Sequence, residues 1–416
     1  MLTLISSCES IWYPTFKMFK VFLIKGHFMK RNIHPPYLFA ILFPVILISP
    51  ALAETPFKPE RISVEKELRS GPSLFVIDQS WSGTSSITVL SADDLKTKGS
   101  ISTGLIAQFL LSKNNKQLYT ASVYPKRIVW GPVEAVVQQF DVKTLSLTKE
   151  IPTSPKMAQV SASINSFRLS ANEKYAFVQN ATPAASVNVI DITSGNTLLE
   201  IPTPGCWGIY PSADDNRFSA LCGDGTVASY QIATDQKDYK VTKSDTIFDA
   251  DKDPLFISSQ RDGDTLIFTS FNGNMYLLND KEIKVTLTDK FSYTKGIKSH
   301  WVPTGFEILA FNKPNNLMFI TMSPNGKEGS HKYGAKEIWG IDMASRKVIT
   351  RVKTVDTISL AVSQTQKPEL FALSGGEGGS GGTVLKYIFI GPQFTGKVVG
   401  KAARLGTFNQ FLMVDY

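Results

Sequence analysis

A short apolar strand entered from a polar turn returns seven times along this chain, and no other feature constrains its fold as much. The copies are Gly71-Pro-Ser-Leu-Phe-Val-Ile, Asn115-Lys-Gln-Leu-Tyr-Thr-Ala, Glu173-Lys-Tyr-Ala-Phe-Val, Asp215-Asn-Arg-Phe-Ser-Ala-Leu, Gly263-Asp-Thr-Leu-Ile-Phe, Asn315-Asn-Leu-Met-Phe-Ile and Lys367-Pro-Glu-Leu-Phe-Ala-Leu. Their markers Leu74, Leu118, Tyr175, Arg217, Leu266, Leu317 and Leu370 lie 44, 57, 42, 49, 51 and 53 residues apart. A period of about 40–50 residues built only of strand-like segments is the signature of propeller blades. The expectation is an all-β, seven-bladed β-propeller over residues 71–416.

Each repeat reads further. Strands such as Phe167-Arg-Leu-Ser, Leu255-Phe-Ile-Ser-Ser and Ser359-Leu-Ala-Val-Ser precede the marker strand as its inner neighbour. Strands such as Val136-Val-Gln-Gln-Phe-Asp and Val187-Asn-Val-Ile-Asp follow it and end in turn-forming residues. Six inner strands serve seven markers, and the one missing belongs before residue 71. The C-terminal Phe408-Asn-Gln-Phe-Leu-Met-Val-Asp is strand-like with no marker after it. Residues 407–415 are therefore expected to pair with the blade begun at Gly71, closing the ring and removing exposed sheet edges.

The first 53 residues read as a leader. Met29-Lys-Arg is a basic start, Tyr37–Ile48 an apolar core and Ala51-Leu-Ala a small-residue cleavage site, the three parts of a secretory signal peptide. Pro44 and Pro50 interrupt a run already short for a membrane span, although an uncleaved anchor stays open. Met29 is a better start than Met1, so residues 1–28 are expected to precede the true initiation site, and 29–53 to be the signal peptide. Residues 54–70 read as an N-terminal arm. Losing residues 1–53 removes five bases and Glu9, which lowers the formal charge of +8 by four. No basic cluster interleaved with aromatics remains, which argues against nucleic-acid binding. Cys206 and Cys222 are the cysteines beyond the leader. An even pair in an exported chain reads as a disulfide, with two buried thiols as the alternative.

Catalytic constellations are sparse. His300 and His331 are the histidines beyond the leader, too few for a histidine-rich metal site, and no other segment has metal-ligand spacing. The run Gly375-Gly-Glu-Gly-Gly-Ser-Gly-Gly lacks the Lys-Ser/Thr ending of a phosphate loop and reads as a hairpin tip. Asp249-Ala-Asp-Lys-Asp-Pro puts proline where a calcium loop needs glycine. Trp81, Tyr124, Trp130, Trp207 and Trp301 lie in loop-like segments. Each is an interface candidate, because aromatics bury much area at small entropy cost, and each has a core alternative.

Several segments resemble the large subunit of quinoprotein amine dehydrogenases. They are Tyr175-Ala-Phe-Val-Gln-Asn-Ala-Thr-Pro-Ala-Ala-Ser-Val, Pro204-Gly-Cys-Trp-Gly-Ile with Cys222-Gly-Asp-Gly, Asp251-Lys-Asp-Pro-Leu-Phe, Trp301-Val-Pro-Thr-Gly, and Ser323-Pro-Asn-Gly-Lys-Glu-Gly-Ser-His-Lys followed by Glu337-Ile-Trp. They look nearer the aromatic amine dehydrogenase branch than the methylamine branch. The resemblance implies a periplasmic assembly of two large and two small subunits. It places the cofactor, tryptophan tryptophylquinone, and the catalytic residues on the small subunit. It implies an azurin- or amicyanin-like copper protein as electron acceptor, and a large chain that scaffolds the small one and walls the substrate channel. The family's paired cysteines fall on Cys206 and Cys222. Its channel aromatic, a phenylalanine, falls approximately on Trp81 of Asp78-Gln-Ser-Trp. The alternatives are an exported propeller acting as a binding scaffold without an enzymatic partner, and a self-sufficient propeller hydrolase, which two histidines disfavour.

Overall fold

The computed structural model describes residues 65–415 apart from Asp215, 376–381 and 392–393. The leader, residues 54–64 of the arm and the middle of the glycine run lie outside the described residues. The chain is an all-β propeller, and the described residues contain no α-helix.

Five sheets have four strands and one has eight. The first joins Ser73–Asp78, Ser85–Ser91 and Thr97–Thr103, with Asn409–Val414 antiparallel to Ser73–Asp78. Four sheets then follow in chain order, their first strands being Leu105–Leu111, Phe167–Leu169, Cys206–Pro211 and Leu255–Asp262. The eight-stranded sheet runs from Val302–Pro303 to Thr395–Ala402. Its two halves share the strand Lys347–Val362, which pairs with Ala335–Asp342 through residues 347–357 and with Glu369–Ser374 through residues 357–362. Asp356 sits at the crossing with φ 46°, a left-handed conformation that aspartate tolerates better than most residues.

All seven markers lie on strands with a hydrogen-bonded neighbour on both sides, and the physical origin of the repeat is burial. Phe75, Phe177, Phe218, Phe268, Phe319 and Phe371, one on each of six marker strands, are fully buried. Each such side chain stabilises by about 1.5–3 kcal/mol relative to exposure. The apolar residues form seven clusters, each between neighbouring sheets or between the halves of the largest one. One joins Leu74, Val76 and Leu412 of the first sheet to Ile358, Phe371 and Val384 near the other end of the chain.

Polar side chains cross between sheets as well. Arg217, buried, donates to the carbonyls of Asp280 (2.6 Å) and Lys281 (2.9 Å) in the next sheet. Lys386, also buried, donates to the Ala92 carbonyl (2.8 Å) and pairs with Glu369 (2.7 Å).

Candidate functional site

Alternating strand direction sorts the connections onto two faces. The turn between the second and third strands of a sheet lies at the end where the chain enters the first strand. The turns between first and second, and between third and fourth strands, lie at the other end. That other face is regular: Asn114 and Asn172 accept from Lys116 N (3.0 Å) and Lys174 N (2.9 Å), and Asp141, Asp191 and Asp342 from Thr144, Ser194 and Ala344 N. These are the Asx turns that the polar residues before the markers, and at the ends of the strands that follow them, predict.

The first face is irregular, and every segment of the resemblance has its non-strand part there. Its connections are tied in pairs: Gly223 N to Gly205 O (2.9 Å), Ile247 N to Gly225 O (2.8 Å), Phe271 N to Pro254 O (3.0 Å), Asn325 N to Ser299 O (2.8 Å) and Gly326 N to His300 O (2.9 Å). Cys206 and Cys222 stand opposite each other at this end of the fourth sheet and are joined by a disulfide, so the thiol alternative falls. Gly305 is required by its surroundings. It has φ 116°, and a Cβ there would lie 2.7 Å from the Ile358 carbonyl oxygen.

Trp81 lies in the turn after Ser73–Asp78 and is 47% exposed. Neighbouring connections are bonded to the two residues before it. Gln79 N donates to Phe408 O (3.1 Å), and Ile106 N to Ser80 O (2.9 Å). Phe408 is itself exposed, as is Tyr124, whose hydroxyl donates to Gln138 Oε1 (3.1 Å). The hairpin of Gln117–Arg127 and Trp130–Asp141 ends in Ile128, Val129 and Trp130, at 77, 49 and 64% exposure, with the Arg127 guanidinium 4.0 Å from the Trp130 ring centre. An apolar, aromatic rim is thus concentrated on the first two sheets. Trp301 departs from the interface expectation. It packs 5.2 Å from the buried Trp339, and Arg351 lies 4.6 and 4.5 Å from the two rings. Trp207 is half-buried opposite Leu221. His300 Nδ1 donates to Gly326 O (2.9 Å), and both His300 and His331 are exposed.

Sequence reasoning missed the strap over the centre of this face. Residues 160–165 are held by side chains from several sheets. Gln79 Nε2 donates to Val160 O (3.0 Å) while its Oε1 accepts from Ala162 N (3.2 Å); Gln108 does the same with Val160 O (3.3 Å) and Ser163 N (2.8 Å). Glu307 Oε1 accepts from Ser163 Oγ and Ile164 N, both at 2.8 Å, and Asn165 Nδ2 donates to Ile257 O (2.8 Å). Glu307 is buried, and its burial raises its pKa against the lowering effect of these donors and of Arg168. The signal was present as isolated polar residues within apolar segments, Gln108 and Glu307 among them.

Residues 73–414 match a protein family described as methylamine dehydrogenase heavy chain. Curated relatives are the methylamine dehydrogenase heavy chains of Methylobacillus flagellatus and Methylorubrum extorquens. The first is 23% identical over 77% of this chain and 79% of its own length, the second 25% identical over 82% of each. Solved structures similar in fold include a functionally unknown protein from Desulfotomaculum acetoxidans (TM-score 0.55, 12% identity, 83% of this chain, 99% of that one). A candidate 6-phosphogluconolactonase from Bacteroides fragilis is another (TM-score 0.58, 11% identity, 86% of this chain, 100% of that one).

Proposed function

The chain belongs to the methylamine dehydrogenase heavy chain family, and from that premise we propose that it is the large subunit of a periplasmic quinoprotein amine dehydrogenase. The assembly oxidatively deaminates primary amines to aldehyde and ammonia, with aromatic and aralkyl amines preferred over methylamine. Two large chains join two small ones. A tryptophan tryptophylquinone on the small subunit supplies the two-electron chemistry, and a small azurin- or amicyanin-like copper protein accepts the electrons. The residues of this chain suit a covering role: Trp81, Phe408 and Tyr124 present aromatic surface that excludes water from a partner's site. Trp81 is the channel residue.

The observation that carries the reading is convergence. The segments resembling the family, the disulfide and the exposed aromatics occupy one face, while the opposite face holds regular polar turns. The scaffold is read as seven blades in a closed ring, the eight-stranded sheet being two blades fused through Lys347–Val362 and Asn409–Val414 the inner strand of the first. Seven apolar clusters, one of them linking the two ends of the chain, support that count.

The test is co-expression with a candidate small subunit and assay of dye-linked amine oxidation. Activity should need both chains, and they should co-purify in equal amounts. Full activity from the small subunit alone would remove the large-subunit role and leave a binding scaffold.

A further inference from the structure

Beside the strap the inner strands line a half-open cavity of about 300 Å³, at the small end of the range for ligand pockets. Much of its wall is hydrocarbon, from Leu309, Phe311, Leu360, Leu412 and Met413. Two guanidinium groups also line it, and they differ in one respect. Arg261 is satisfied: it forks onto the buried carboxylate of Asp280 at 2.9 and 2.5 Å and donates to Gly263 O. The side chain of Arg168, on the inner strand Phe167–Leu169, makes no hydrogen bond and no ion pair among the described residues.

The nearby polar groups are already engaged. Glu307, the anion whose field reaches Arg168, accepts from the strap. The donors of Tyr210, Asn165, Gln260 and Gln364 go to backbone carbonyls. Burial disfavours the charged form of Arg168, Glu307 opposes that effect and Arg261 adds to it.

A guanidinium carries five donors in a planar fork, and Arg168, half-buried with none of them engaged by protein, leaves that fork free for a ligand in a cavity of mixed polar and apolar lining. A carboxylate matches the fork with two parallel bonds. Inorganic phosphate is multiply charged and would need more donors than one free guanidinium provides. The hydrocarbon wall gives it nothing, whereas a short apolar tail would be removed from water there.

We propose that the axial cavity is a binding site for a small organic carboxylate, forked on Arg168 with its hydrocarbon part against Leu309, Leu360 and Met413. Size limits the ligand to a tail of a few carbons or one ring, since a water molecule's share of volume is about 30 Å³.

The test is isothermal titration calorimetry of the full secreted chain with butyrate, benzoate, acetate and inorganic phosphate at matched ionic strength, paired with thermal unfolding. Butyrate or benzoate should bind one per chain and raise the melting temperature saturably, with acetate and phosphate about tenfold weaker or worse. Arg168→Lys, which keeps the charge and loses the fork, should weaken butyrate about tenfold, and Arg168→Met should abolish binding. Absence of saturable binding to the wild-type chain would overturn the proposal. So would phosphate binding as tightly as butyrate, or an unchanged affinity in Arg168→Lys. Should Arg168→Met fail to fold, the tail series on the wild-type chain and the lysine variant still decide.

Discussion

Arg217 stands where other repeats carry leucine or tyrosine, and its side chain crosses to the next sheet to bind two carbonyls. A lone charged residue in an apolar strand thus marks a tie between blades, and Lys386 repeats the device. Glu307 gives it a titration. Burial raises its folded pKa above the value near 4.3 of an exposed glutamate. Between those values the folded chain holds the proton more tightly than the unfolded one. This group's contribution therefore declines as pH rises from about 4.3 through the folded pKa, then levels off. Glu307→Gln keeps an acceptor for Ser163 and Ile164 and removes the ionisation. Melting curves across pH 4.5–8 should show the variant gaining on the wild type as pH rises; a gap moving the other way would exclude Glu307 as the titrating group. Trp81 belongs to this scale too. In the assembled enzyme Trp81→Ala should leave quinone absorbance unchanged and shift the ratio of kcat/KM between an aralkyl amine and methylamine by about tenfold. An unaltered ratio would take Trp81 out of the channel. The individual residues were unequally legible: Trp81 and Trp301 look alike as loop tryptophans, and only packing separates the half-exposed ring from the one against Trp339.

Strands were legible in proportion to how much apolar side chain they bury. Marker strands such as Leu317–Ser323 and Tyr175–Asn180 are buried on both faces and read as continuous apolar runs. Outermost strands such as Thr97–Thr103, Tyr239–Lys243 and Thr286–Ser292 are largely exposed and carry lysine and threonine. Such edges are kept polar to discourage further pairing, which erases the hydrophobic signal that sequence reading depends on. The shared strand Lys347–Val362 was hidden differently, because its first half is polar and its second apolar. Two elements lend themselves to measurement. Replacing both Cys206 and Cys222 by serine should lower stability by about 3 kcal/mol, as expected for opening a loop of this length, seen as a lower denaturant midpoint. Deleting residues 403–416 removes the partner of Ser73–Asp78 and the Phe411 ring that stacks 4.7 Å from Phe109. The truncated chain should aggregate or melt well below the full one, and an unchanged monomer would show that this pairing contributes little.

At the level of the whole molecule the two faces differ in chemistry, and so they should differ in tolerance. Ile128→Asp or Trp130→Glu at the exposed hairpin tip should leave the melting temperature of the isolated chain nearly unchanged, within about 0.5 kcal/mol. The same variants should reduce recovery of a small subunit in co-purification at least several-fold. Lys367→Glu, in a turn of the opposite face, should affect neither. Equal effects from both faces would mean that the hairpin does not touch the partner. The division into faces was only half visible in the sequence. The regular turns announce themselves through Asn or Asp before five of the seven markers, whereas the strap over the centre depends on Gln79, Gln108 and Glu307, far apart in the chain.

The pairing of Asn409–Val414 with Ser73–Asp78 joins the last strand of the described residues to the first. A ribosome delivers these partners in the worst possible order, with more than three hundred residues made between them. Until residues 409–414 have emerged, this sheet is held one strand short, and Phe75 and Val76 lack the neighbours Phe411 and Leu412 that help cover them. That sheet therefore gains its fourth strand only after residues 409–414 have been made, long after its other three.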